Sequence, residues 1–184
     1  MITQYSAQHK TRLLQVARKA LQNYLENKTR TKFVEESAEM LCKRAVFVTL
    51  RKKDSGELRG CIGQTEARCS LIEAVARTAV SSAVDDSRFP AVTLHELPNL
   101  LIEINVLTPM YAITAENVVV GKHGLLLIKG CSRGLFLPEV AVSQGWDRLT
   151  LLDELCRKAE LPKGSWRDAD AELLAFESEA WEEK

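Results

Sequence analysis

Apolar residues recur every three or four positions at Leu13, Val16, Ala17, Ala20, Leu21, Tyr24 and Leu25. That spacing lays one stripe along a helix and predicts an amphipathic helix over about residues 7–26. A polar link, "NKTRTKFVEESAEM", follows. The run Ala45–Arg51 predicts a strand, Asp54-Ser55-Gly56 a turn, and Glu57–Gly63 the returning strand of a hairpin. Ser70-Leu71-Ile72-Glu73 has the form of a capping box. The positions Leu71, Ala74, Val75, Thr78 and Ala79 continue it as a second helix, ending near Asp85-Asp86.

In Leu100–Leu107 only Glu103 and Asn105 interrupt the apolar run, as expected of a strand with one drier face. Short strands are expected at Val118–Val120, Leu125–Lys129 and Gly134–Leu137, with Gly121-Lys122-His123-Gly124 and Gly130-Cys131-Ser132 as turns. Pro138 suits the first turn of a short helix closed by Gly145. Leu152, Leu155, Cys156 and Ala159 predict another helix, with Thr150 as its cap and Pro162 beyond its end. "AELLAFES" reads as a closing strand. Helices and hairpin-linked strands interleave without a βαβ rhythm, so the fold class is α+β: a mostly antiparallel sheet flanked by helices. No internal repeat or linker divides the chain, and residues 1–184 read as a single domain.

Composition narrows the function classes. The 25 basic and 25 acidic side chains leave no net charge, so the domain-wide basic footprint of a nucleic-acid binder is absent. No apolar run approaches a membrane span, and the first ten residues lack a secretory apolar core, which points to the cytoplasm. The cysteines at 42, 61, 69, 131 and 156 form no CxxC pair and no metal-ligand spacing, so reduced thiols are expected and neither metal nor cofactor.

Candidate chemistry centres on "LRGCIG". Strict alternation would put Arg59 and Cys61 on one face and Leu58 and Ile62 on the core face. The guanidinium would then favour a thiolate at Cys61, with Gly60 and Gly63 clearing room for a ligand or a second backbone. Equally open is Cys61 as a small half-buried filler with the glycines serving close packing. His123, presented in its turn, is the candidate base, and Glu139 either orients it or complements a helix dipole. Arg88 in "DDSRFP" and Arg133 in "CSRG" either join Arg59 around a small anionic ligand or pair with local carboxylates such as Asp85 and Asp86.

Taken in order, "LRGCIG", "DSRFPAV", "KHGLLL", "LPEVA" and "QGW" resemble the AMMECR family along nearly the whole chain. The motif residues carried by the resemblance are Arg59, Gly60, Cys61, Gly63, Ser87, Arg88, Phe89, His123, Gly124, Pro138, Glu139, Gly145 and Trp146. Ala91 stands where relatives often have a second proline. The resemblance implies two unequal lobes with the motif cysteine near a cleft. It implies no settled activity, but a shared system with a Memo-like protein and a radical SAM protein. Two functions follow as expectations: a cysteine-dependent enzyme or enzyme component acting with those partners, or a protein- or RNA-binding adaptor without catalysis.

Overall fold

The computed structural model describes residues 5–35 and 37–184, so the signal-free reading of residues 1–10 and the polar link lie partly outside the described residues. Its elements, in chain order, are α1 (Ala7–Asn27), α2 (Ala38–Leu41), β1 (Ala45–Lys52), β2 (Leu58–Gln64), α3 (Leu71–Val84), β3 (Leu100–Leu107) and β4 (Tyr111–Ala112). β5 (Gly124–Lys129), β6 (Ser132–Phe136), α4 (Pro138–Ser143), α5 (Arg148–Lys158), β7 (Ala171–Phe176) and β8 (Ser178–Glu182) complete the chain. Helices and antiparallel sheet are mixed as an α+β fold, in two compact units. One runs up to Leu107 and includes Glu179–Lys184; the other is Thr108–Ser178.

In the first unit the sheet order is β2-β1-β3-β8. Val48 on β1 faces Ile62 of β2 and Ile104 of β3, and Leu50 faces Ile102. Val48, Leu50, Ile102 and Ile104 are buried with Leu13 and Leu21 of α1 and Leu71, Val75 and Ala79 of α3. Each such aliphatic contributes about 1.5–3 kcal/mol on leaving water, which is why the apolar stripes decide where both helices lie. The second unit has sheet order β4-β7-β5-β6, with Leu125, Leu127 and Ala175 packed against Leu152, Leu155 and Cys156 of α5.

Several local expectations need correction. Ser70 precedes α3 but makes no side-chain cap bond; it joins Lys43 in an isolated bridge instead. α5 is capped by Asp147, whose carboxylate accepts the Thr150 N–H at 2.8 Å, so the helix starts ahead of Thr150. Val118–Val120 is no strand, because the Val119 N–H is taken by the His123 ring. The polar link contains the short α2, and β8 follows β7 after a single residue.

The hairpin also departs from strict alternation. Gly60 faces Leu50 but Leu58 faces Arg51, so Arg59 is the extra residue of a bulge. Leu58 and Ile62 therefore do not form one core-facing pair, and both are only half-buried.

Candidate functional site

β2 is an edge strand, and the backbone of Cys61 is turned to its free side. There the Cys61 N–H donates to Asp86 Oδ2 at 2.8 Å, and its carbonyl accepts from Arg88 Nη2 at 3.2 Å. The same guanidinium grips the Asp86 carboxylate in a fork, at 2.9 Å from Nε and 2.7 Å from Nη2. "DDSRFP" therefore closes the sheet edge much as another strand would, satisfying groups that an open edge leaves to other chains. Asp86 is 6% exposed. The Arg88 hydrogen bonds, aided by the Cys61 N–H, hold its carboxyl far below the usual carboxylate range against the upward push of burial.

The thiol keeps a different company. Cys61 is half-buried and lies opposite Thr49, whose hydroxyl donates to Sγ at 3.3 Å. The guanidinium next to this residue is that of Arg88, not Arg59. Arg59, 9% exposed, donates to Glu96 at 2.8 and 3.3 Å and to the Pro90 carbonyl at 2.9 Å. Burial raises the Glu96 carboxyl, but bonds from Arg59 and Thr93 outweigh it and leave it below the usual range. The bulge explains the difference: it breaks the alternation that would have brought Arg59 beside the sulfur.

Neither glycine opens a space for a ligand. A Cβ at Gly60 would stand 2.1 Å from the Ser82 carbonyl of α3, and one at Gly63 would stand 2.0 Å from the Phe47 ring. The close approach at Gly60 brings the Ser82 hydroxyl to the hairpin, where it accepts the Ile62 N–H at 3.0 Å and lies 2.8 Å from the Val48 carbonyl. The second backbone foreseen at these glycines is thus α3 at Gly60, whereas Gly63 makes room for a ring. Ser87 is exposed, and Phe89 packs under the Arg88 guanidinium at 5.5 Å.

The other candidates belong to the second unit. His123 is 7% exposed, so it is buried and not presented from its turn. Its Nδ1 accepts the Val119 N–H at 3.2 Å, which places the proton of the neutral ring on Nε2, 3.4 Å from the Tyr111 hydroxyl. Burial, then the nearby Lys122 charge, lower its pKa, and Glu177 partly opposes them. Glu139 is exposed in the first turn of α4, where a carboxylate complements the helix dipole. Arg133 is exposed on β6 opposite Ile128. In the motif's last part, Pro138 is buried, Gly145 takes φ +65°, and Trp146 packs edge-on against Phe136 at 5.4 Å.

Among the described residues, no cluster of three His, Cys, Asp or Glu side chains is placed to hold a metal ion, and no helix is long and apolar enough to cross a membrane. Of the groups that fix this site, Asp86 was visible as an acidic neighbour of Arg88. Thr49, Ser82 and Glu96 carry no local signal, because only strand register and the placement of α3 bring them in.

The sequence model of a family described as AMMECR1 matches residues 14–181. A Methanopyrus kandleri protein is 38% identical over 180 residues, covering 94% of this chain and 87% of its own length. A Methanocaldococcus jannaschii protein is 40% identical over 176 residues, covering 91% and 86%. The crystal structure of an uncharacterized protein from Pyrococcus horikoshii is similar at TM-score 0.86 and 39% identity, covering 94% of this chain and 90% of that one.

Proposed function

The chain belongs to the AMMECR1 family, and from that premise we propose that it is the thiol-bearing component of a multi-protein system, with Cys61 as the group that reacts. The observation that carries this reading is the division of labour at Cys61. Its backbone is tied to Asp86 and Arg88, while the sulfur of this half-buried residue receives, among the described residues, the Thr49 hydroxyl. A thiol held on a fixed strand loses little freedom on meeting a second reactant, which is how positioning lowers a barrier.

The acid–base group comes from elsewhere in this reading. Asp86 is held ionised in its ion pair and is a poor proton acceptor, and the free nitrogen lone pair of His123 already receives a backbone N–H. A Memo-like protein and a radical SAM protein are the proposed partners. The outward side of Arg88, whose side chain is 56% exposed, offers a small anionic group a place beside the thiol.

A second reading is an adaptor without chemistry. What favours it is that Gly60, Gly63 and Arg59 all serve internal packing, so the motif also builds a rigid surface. Peptide mass spectrometry after incubation with both partners and S-adenosylmethionine separates the two. The thiol reading expects added mass on the Cys61 peptide and intact association of a Cys61→Ala variant that no longer supports the joint reaction. An unmodified Cys61, with Cys61→Ala supporting the joint reaction like wild type, would leave the adaptor.

A further inference from the structure

Between α1 and α2 the chain crosses the first unit as an open segment, Arg30 to Val34, without turn or bend. It is held in place: the Thr31 hydroxyl accepts from Asn23 Nδ2 at 2.7 Å, and Phe33 packs against the core of this unit. The flanking Lys32 and Val34 are exposed, the alternation of an extended backbone. Among the described residues, the backbone from Arg30 to Val34 makes no hydrogen bond to another backbone group. Arg30 to Val34 line one side of a groove of about 890 Å³, and Leu41 of α2 and the first half of α3 line the other.

The groove has two chemistries. Ile72 and Ala76 form an apolar floor beside Phe33, and the rim exposes Val34 at 86% and Leu41 at 48%. Its lining carries three cations, Arg30, Lys32 and Arg77, against Glu35 and Glu73. Arg77 is paired with Glu73 and Glu35 with Arg12, and among the described residues Arg30 and Lys32 form no ion pair. An occupant that satisfies every part must offer main-chain hydrogen bonds, apolar side chains and carboxylates together. An extended peptide does this: alternate residues face the floor and the rim while its backbone pairs with the open segment.

We propose that this groove binds an extended acidic segment of another protein, in which apolar and acidic residues alternate, added as a strand along Arg30 to Val34. Cys61 does not line this groove, and a Cys61→Ala variant should bind its occupant like wild type. A basic patch with exposed apolar residues also suits an anionic membrane surface, but a flat lipid headgroup layer has no use for the row of open backbone groups, which favours the peptide.

The test is fluorescence anisotropy with a fluorescein-labelled heptapeptide alternating glutamate and valine. Saturable binding is expected, weakened about tenfold or more by Val34→Asp and by the double variant Arg30→Glu/Lys32→Glu. A matching peptide with lysine for glutamate should not bind, and one N-methylated at alternate residues should bind about tenfold more weakly, because it loses donors to the open segment. Val34→Asp changes an exposed side chain, so an unaltered circular dichroism melt shows that folding is not the cause of its loss. The proposal is overturned if the glutamate peptide fails to saturate, if the variants bind it like wild type, or if the lysine or N-methylated peptide binds equally well. Binding to phosphatidylserine vesicles without binding to the peptide overturns it in favour of a membrane surface.

Discussion

Cys61 lies between Gly60 and Gly63, and His123 between Gly121 and Gly124, yet the fold fixes different parts of the two residues. At Cys61 the backbone is gripped, by Asp86 at the amide and Arg88 at the carbonyl, and the side chain is left half-exposed. At His123 the side chain does the gripping: its ring accepts the Val119 N–H and so shapes the 119–123 turn. The neighbouring glycines fit both cases, since Gly60 admits a backbone carbonyl and Gly124 admits the Phe176 ring, whose nearest atom would be 2.3 Å from an added Cβ. A glycine-flanked polar residue is therefore no sign of reactivity. What distinguishes the two is the bond each side chain makes: the His123 ring accepts a backbone N–H, whereas the Cys61 sulfur accepts the Thr49 hydroxyl.

The largest effect is expected at Gly60. A methyl group there meets a helix carbonyl at 2.1 Å, and neither strand nor helix can yield without disturbing the core. Gly60→Ala should cost about 3 kcal/mol, read as a lower urea midpoint with unchanged slope. Wild-type stability in that variant would mean that α3 does not need its close approach.

Asp86→Asn comes next, with a loss of about 2 kcal/mol at neutral pH, as for hydrogen bonds to a charged partner. The sign with pH follows from its depressed folded pKa. The Asp86 contribution is fully present above the unfolded value of about 4 and fades as pH falls below it toward the folded value. Urea titrations at several pH values should show wild type losing this increment in acid while the variant does not. Parallel acid limbs would show that the edge clamp is not the origin.

The smallest effect is expected at His123. Replacing it with alanine removes the acceptor of the part-buried Val119 amide and should cost about 1 kcal/mol at pH 8. Because the folded pKa is lowered, the neutral ring's contribution is present above the unfolded value of about 6.5 and is lost as pH falls through the folded value. The difference between wild type and variant should therefore narrow on acidification. A gap that widened instead would mean that the ring is stabilised as a cation, contrary to its acceptor role.

Most of the frame was legible because it follows from periodicity. The stripe from Leu13 to Leu21 and the run from Leu71 to Ala79 are buried as their spacing requires, and the 45–63 hairpin pairs about its Asp54-Ser55-Gly56 turn. What escaped was set by partners distant in sequence. The bulge at Arg59 follows from the local fit of β2 to β1 and α3, and it moved the arginine away from the sulfur. The burial of His123 depends on how its turn packs beside Tyr111, which no pattern near residue 123 reports. β8 was hidden because Ser178–Glu182 is short and follows β7 after one residue.

For Cys61 to react, its sulfur must be reachable while its backbone stays folded. Site-resolved iodoacetamide labelling across low urea concentrations measures this directly, with Cys156, fully buried in the second unit, as the internal reference. Cys61 should label at a rate nearly independent of urea, as a group open in the native state. Cys156 should label slowly and accelerate with urea, because its reaction waits for unfolding. A Cys61 rate that rises with urea as steeply as that of Cys156 would show a sulfur enclosed by the fold and would contradict the account.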